Sequence, residues 1–185
     1  MRKNITNQEA LSVIVGKRLS IWRRAANMLV IHFGNIERGE NKSWGEIAIH
    51  VQCPWRVLSD GAMFTGLGDL YHPAHETEDF DWGKWWADGS WPDNLMEFQM
   101  RQVLKGTDTA TRSLENVTKA LVVEKVTASS VGDAAIYLSG GFTIEFFPNC
   151  VEGEHWRILD RGRKKQFVVE NERKAPANNT SEHIP

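Results

Sequence analysis

Two stretches of the chain share one rhythm of apolar and polar positions. From Gly45 to Leu58, GEIAIHVQCPWRVL, the residues Ile47, Ile49 and Val51 fall on one side and Glu46, Ala48, His50 and Gln52 on the other. That period of two is the mark of a half-buried strand. It breaks at Cys53-Pro54, since proline has no N–H to give a ladder, and resumes as Trp55-Arg56-Val57-Leu58. From Gly141 to Leu159, GFTIEFFPNCVEGEHWRIL, the order returns: a glycine, alternating Phe142, Ile144 and Phe146, a break at a proline and a cysteine, then Trp156-Arg157-Ile158-Leu159.

The flanking pattern fills in the elements. Thr6-x-x-Glu9 is a capping box, and Leu11, Ile14 and Val15 share a face up to Gly16, which predicts a helix over roughly Asn7–Val15. Met28–Phe33 reads as a strand ending at Gly34-Asn35, with Ile36–Trp44 a loop. Asp60-Gly61 predicts a hairpin returning through Met63–Tyr71. Asp93 is placed to cap a second helix with Met96, Met100, Val103 and Leu104 on one side and Gly106 ending it. After the polar link Thr107–Ser113, strands are predicted over Val117–Thr127, Ala134–Leu138, Phe142–Phe147 and Gln166–Glu170. The expected fold is a single α+β domain over residues 1–170, mainly antiparallel β with two short helices. It is expected to consist of two degenerate helix-plus-β repeats, about 7–71 and 94–170, joined by a loop over 72–92. Residues 171–185 lack apolar content and read as a loose tail.

Composition narrows the class. With 41% hydrophobic and 25% charged residues in 185, the chain is long and apolar enough to bury a core. A net charge of -2 argues against gripping a phosphate backbone, and the basic turn Arg161, Arg163, Lys164, Lys165 lacks the aromatic neighbours of a nucleic-acid site. The apolar run Leu11–Val15 is too short for a signal core or a membrane span, so a cytoplasmic protein is expected, with Cys53 and Cys150 as buried thiols.

The run Ile49-His-Val-Gln-Cys-Pro-Trp-Arg56, with Arg24-Ala-Ala-Asn-Met28 and Phe33-Gly34 upstream and His155-Trp-Arg-Ile158 downstream, resembles a group of small uncharacterised bacterial proteins. The resemblance spans most of the chain up to about Glu170. It implies a recurrent small bacterial domain and carries over no catalytic residue.

Four groups of residues are candidates for chemistry. Trp55-Arg56 and Trp156-Arg157 pair an indole with a guanidinium, a combination able to form a charged recognition surface. On a strand, however, neighbours face opposite ways, which sends each tryptophan to the core and leaves Arg56 and Arg157 as the binding candidates. His32, His50 and Cys53 form a conceivable imidazole-thiolate metal set or a pocket between the halves, against strand parity that separates His50 from Cys53. His72-x-x-His75-Glu76 has the wrong order for a helical metal motif, and Pro73 opposes the helix. Finally, residues 72–92 hold half of the eight tryptophans among acidic residues. There Glu76, Asp79, Asp81, Trp82, Trp85 and Trp86 offer aromatic anchors and steering charge to a protein partner. The sequence thus points to a non-enzymatic binding protein, immunity- or antitoxin-like, with no cofactor. The alternative is a small-ligand or metal-binding protein or enzyme using His32, His50 and Cys53.

Overall fold

A computed structural model of the chain describes residues 5–89, 91, 93–104, 107–108, 113–116 and 120–171. The expected tail lies almost wholly outside these, as do the helix end expected at Gly106 and the strand start expected at Val117. Among the described residues twelve strands form two antiparallel sheets around one core: β1 Leu19–Ala25, β2 Met28–Arg38, β3 Ser43–Val51, β4 Trp55–Ser59, β5 Ala62–Gly66, β6 Thr107–Asp108, β7 Ser113–Glu115, β8 Val123–Ala128, β9 Ala134–Leu138, β10 Phe142–Phe146, β11 Gly153–Asp160 and β12 Lys165–Asn171. The larger sheet runs β12-β11-β3-β2-β1-β7-β6 and the smaller β5-β4-β10-β9-β8.

The two stretches of similar rhythm interlock. At Gln52–Pro54 the chain leaves β3 in the larger sheet and enters β4 in the smaller one; between β10 and β11 it crosses the opposite way. Each glycine-opened strand therefore pairs with the Trp-Arg strand of the other stretch, β3 with β11 and β4 with β10. The crossings are tied to each other: the Gln52 and Cys53 N–H groups donate to the His155 carbonyl, and Phe147 N–H donates to that of Pro54. Parity does what the sequence predicts, for Trp55 and Trp156 are both buried. Trp22 meets Trp55 edge to face at 5.4 Å, and Trp156 lies between Phe146 and Phe167, so the indoles bridge the layers.

Three α-helices form rather than two: α1 Asn7–Leu11, α2 Trp82–Asp88 and α3 Leu95–Val103. The capping box at Thr6 is made from both sides. Past Leu11 the turn tightens to a 3₁₀ form over Ser12–Ile14, so α1 is shorter than its stripe. The polar face of α1 is bonded to β8. Gln8 accepts from Ala128 N–H and donates to the Val126 carbonyl, while Asn7 donates to that of Ser129. These bonds occupy the outer edge of β8, which an unpaired strand would otherwise offer to other chains.

Several boundaries move. Ile36–Trp44 is not a plain loop, because β2 runs on to Arg38 through a bulge at Gly34-Asn35 and β3 begins at Ser43. Gly34 takes φ 89°, and a side chain there would meet the Glu46 carboxylate. Past the bulge the hairpin folds over the outer face of the larger sheet, where Arg38 pairs with Glu115 and Arg23 donates to the Ser43 carbonyl. Ile21, Val30, His32 and Ala48, which do not join the core, are buried on that outer face. β5 stops at Gly66, and a 3₁₀ turn carries Leu67–Tyr71 toward the acidic segment. β8 begins only at Val123. Cys150 is exposed, unlike the buried Cys53, and neither is in a disulfide. No helix among the described residues is long and apolar enough to cross a membrane.

Candidate binding surface

The segment expected as an acidic loop is folded. Asp81 caps α2 by accepting from Lys84 N–H, and Gly89 ends it in the left-handed conformation at φ 62°. Asn94, not Asp93, caps α3 by accepting from Glu97 N–H, with Met96, Met100 and Val103 buried as predicted. The strand-like stretch before α2 is tied to the start of α3: Ala74 N–H donates to Asp93 O and Leu95 N–H to His72 O.

Between these elements the aromatic rings form a continuous series. Phe80 meets Trp82 at 5.3 Å, Trp82 meets Trp85 at 6.0 Å and Trp85 meets Trp86 at 5.6 Å. Trp86 then stacks on Tyr71 at 6.1 Å with planes 11° apart, and Tyr71 meets Trp91 edge-on at 4.9 Å. Trp91 holds a positive φ of 42°, costly for a bulky residue, and its carbonyl accepts from Asn94 at 2.9 Å and from Arg24 at 3.3 Å. Arg24 also donates to Glu97 Oε1 at 3.1 Å, with both side chains largely buried. One guanidinium thus fixes the end of β1 to the Trp-rich segment and to α3. Arg24→Met removes it and leaves Glu97 with the longer 3.6 Å contact to Arg101, at an expected cost of about 1.5–3 kcal/mol. Urea titration of the variant checks this, and a cost below about 0.5 kcal/mol would contradict the clamp.

The predicted residues divide by role. Trp86 is 47% exposed, while Trp82 is half-buried and donates its indole N–H to Glu76. Trp85 is buried and holds the surface together, while Asp81 caps α2 and is itself exposed. Glu76 and Asp79 are exposed beside it. Tyr71, Phe98 and Arg24 were not legible as part of this surface; His75, within the segment, meets Phe98 edge-on at 5.0 Å. The one local signal for α2 was Asp81 followed at a short helix length by Gly89.

The other candidates do not assemble. Arg56 lies on the outside of the smaller sheet, over the Phe147 ring at 4.9 Å and paired with Glu145. Arg157 pairs with Glu154 on the outside of the larger sheet. The two Trp-Arg motifs face away from each other and make no common surface.

His32 and His50 share the outer face of the larger sheet, whereas Cys53 belongs to the core. Among the described residues no group of three or more His, Cys, Asp or Glu side chains has metal-binding geometry. Burial pushes the Cys53 thiol up to about 11, which leaves almost no thiolate at neutral pH and opposes a nucleophilic role. His32 Nδ1 accepts from Gly45 N–H at 3.2 Å, and burial, then Arg23, His50 and Arg161, lowers its pKa to about 3. A Cβ on Gly45 would stand 2.9 Å from the His32 Cβ, so the glycine lets the two strands approach closely there.

The chain matches no family model, no curated protein and no solved structure.

Proposed function

We propose that this is a non-enzymatic cytoplasmic protein that recognises a protein partner through the aromatic, acidic face formed by Tyr71, α2 and the start of α3. The observation that carries the reading is Trp86: it leaves 47% of its surface to solvent while stacked on Tyr71 and braced by Trp85 and Trp91. A braced, exposed indole loses little side-chain freedom when it is covered, the property that makes tryptophan a frequent anchor of interfaces. Exposed carboxylates on Glu76, Glu78 and Asp79 in the same segment, with Glu76 bonded to the Trp82 indole, add polar, charged groups to this face. A partner-neutralising role of the immunity or antitoxin kind would use such a surface.

The test is capture of partners from the native host with the unaltered protein, Trp86→Ala, and the control Met63→Ala, whose exposed side chain (62%) lies on β5 and makes none of the ring contacts of this face. Loss of an anchor of this kind costs roughly 2 kcal/mol or more, on the order of a thirtyfold loss of affinity. Trp86→Ala is expected to lose partners that Met63→Ala retains. Recovery of the same partners by both variants would end the proposal.

A further inference from the structure

The face has two adjoining depressions. One, of about 340 Å³, is lined by His75, Phe80, Trp85 and Phe98 together with Asp93 and Arg101. The other, of about 250 Å³, is lined by Phe80 and Trp85 together with Asp81, Lys84 and Asp88. Phe80 and Trp85, 6.3 Å apart between ring centres, are common to both and form the wall between them. Their charges differ. Arg101 in the first is already held by Asp93 and Glu97, at 3.6 Å each. The second sets two carboxylates and one lysine beside an indole. Six carboxylates, on Glu76, Glu78, Asp79, Asp81, Asp88 and Asp93, are exposed across the segment, against Lys84 and Arg101.

Resting on the reading above, we infer that the occupant is a basic, extended segment of the partner, which lays an apolar side chain in the first depression and a lysine or arginine in the second. Charge complementarity selects the basic class, because an acidic segment would bring its own carboxylates against six others. The carboxylates of Asp81 and Asp88, which line the second depression, suit a cation through opposite charge. An extended backbone suits the shared wall: side chains at i and i+2 point the same way and stand about 6.8 Å apart, enough to straddle a wall of aromatic rings. Alternating apolar and basic residues are therefore the expected motif.

The experiment is selection of a random 12-residue peptide library on the immobilised full chain, followed by affinity measurement of the enriched peptides. The expected result is enrichment of Lys or Arg two positions from an apolar residue, with binding that weakens as salt is raised. Affinity should fall on the order of tenfold in Phe80→Ala, and severalfold in the exposed charge variant Glu78→Gln/Asp79→Asn, which touches no packing. Enriched peptides that are acidic or neutral but still depend on Trp86 would overturn the basic class and leave the surface in place. No enrichment, or enrichment indifferent to Trp86, Phe80 and the carboxylates, would overturn both.

Discussion

Trp156→Ala should unfold roughly 6–20 °C below the unaltered protein, the shift that about 3–5 kcal/mol produces in a domain of this size. The side chain is fully buried, packs against Phe146 and Phe167, and donates its indole N–H to the Gly132 carbonyl at 2.7 Å. Truncation removes ring contacts from both sheets and leaves a buried carbonyl without its donor. The surroundings have little room to close in, because Gly132 is already tight: a Cβ there would lie 2.8 Å from Val169 Cγ1. The neighbouring Arg157→Ala provides the contrast. Its guanidinium is a third exposed and paired with Glu154, so its loss should cost less than about 1 kcal/mol. Thermal unfolding of both variants followed by near-ultraviolet circular dichroism decides the matter. Equal shifts, or a larger one for Arg157→Ala, would contradict the assignment of tryptophan to the core and arginine to the surface.

That assignment was legible in the sequence because it depends only on local parity: two adjacent strand residues must point opposite ways. The capping box at Thr6 and the buried stripe of α3 were legible for the same reason, each being settled within a few turns of chain. Sheet membership was not. Nothing near Ile49 says that it will pair with Ile158, far along the chain, or that the chain changes sheet at Pro54. β1 is hidden in the sequence because its bulge at Ser20 breaks the alternation, and the far hairpin arm because the bend at Gly34-Asn35 resembles an end. The acidic segment was recognised by composition, but its structure comes from residues outside it. Tyr71, Phe98 and above all Arg24 reach it from three other elements, and only tertiary contact brings them together. Composition also could not separate Trp85, which holds the surface, from Trp86, which presents it.

A second large effect is expected in the pH dependence of stability, and it belongs to His32. Its ring is 3% exposed, accepts from Gly45 N–H through Nδ1, and faces Arg23 on β1, His50 on β3 and Arg161 beyond β11. Burial and these cations keep it neutral in the folded protein down to about pH 3, while in the unfolded chain it takes up a proton near 6.5. Between those values the unfolded state binds more protons, so stability rises with pH. The contribution is complete above about pH 6.5 and is lost progressively below it, at about 1.4 kcal/mol per pH unit, reaching about 5 kcal/mol near pH 3. Carboxylates across the molecule also respond to acid, so the comparison must remove this one group. His32→Asn does so while leaving an oxygen about where Nδ1 accepts from Gly45. Urea titrations at pH 7, 6, 5 and 4 should show the unaltered protein losing stability faster than the variant, by about 1.4 kcal/mol for each unit below about pH 6. His50, whose pKa is lowered chiefly by burial, adds to the acid sensitivity of both proteins and does not separate them. Parallel curves would mean that His32 is protonated in the folded protein, which requires an anion or solvent beside Nε2 and hence an outer face less tightly covered by the folded-over hairpin.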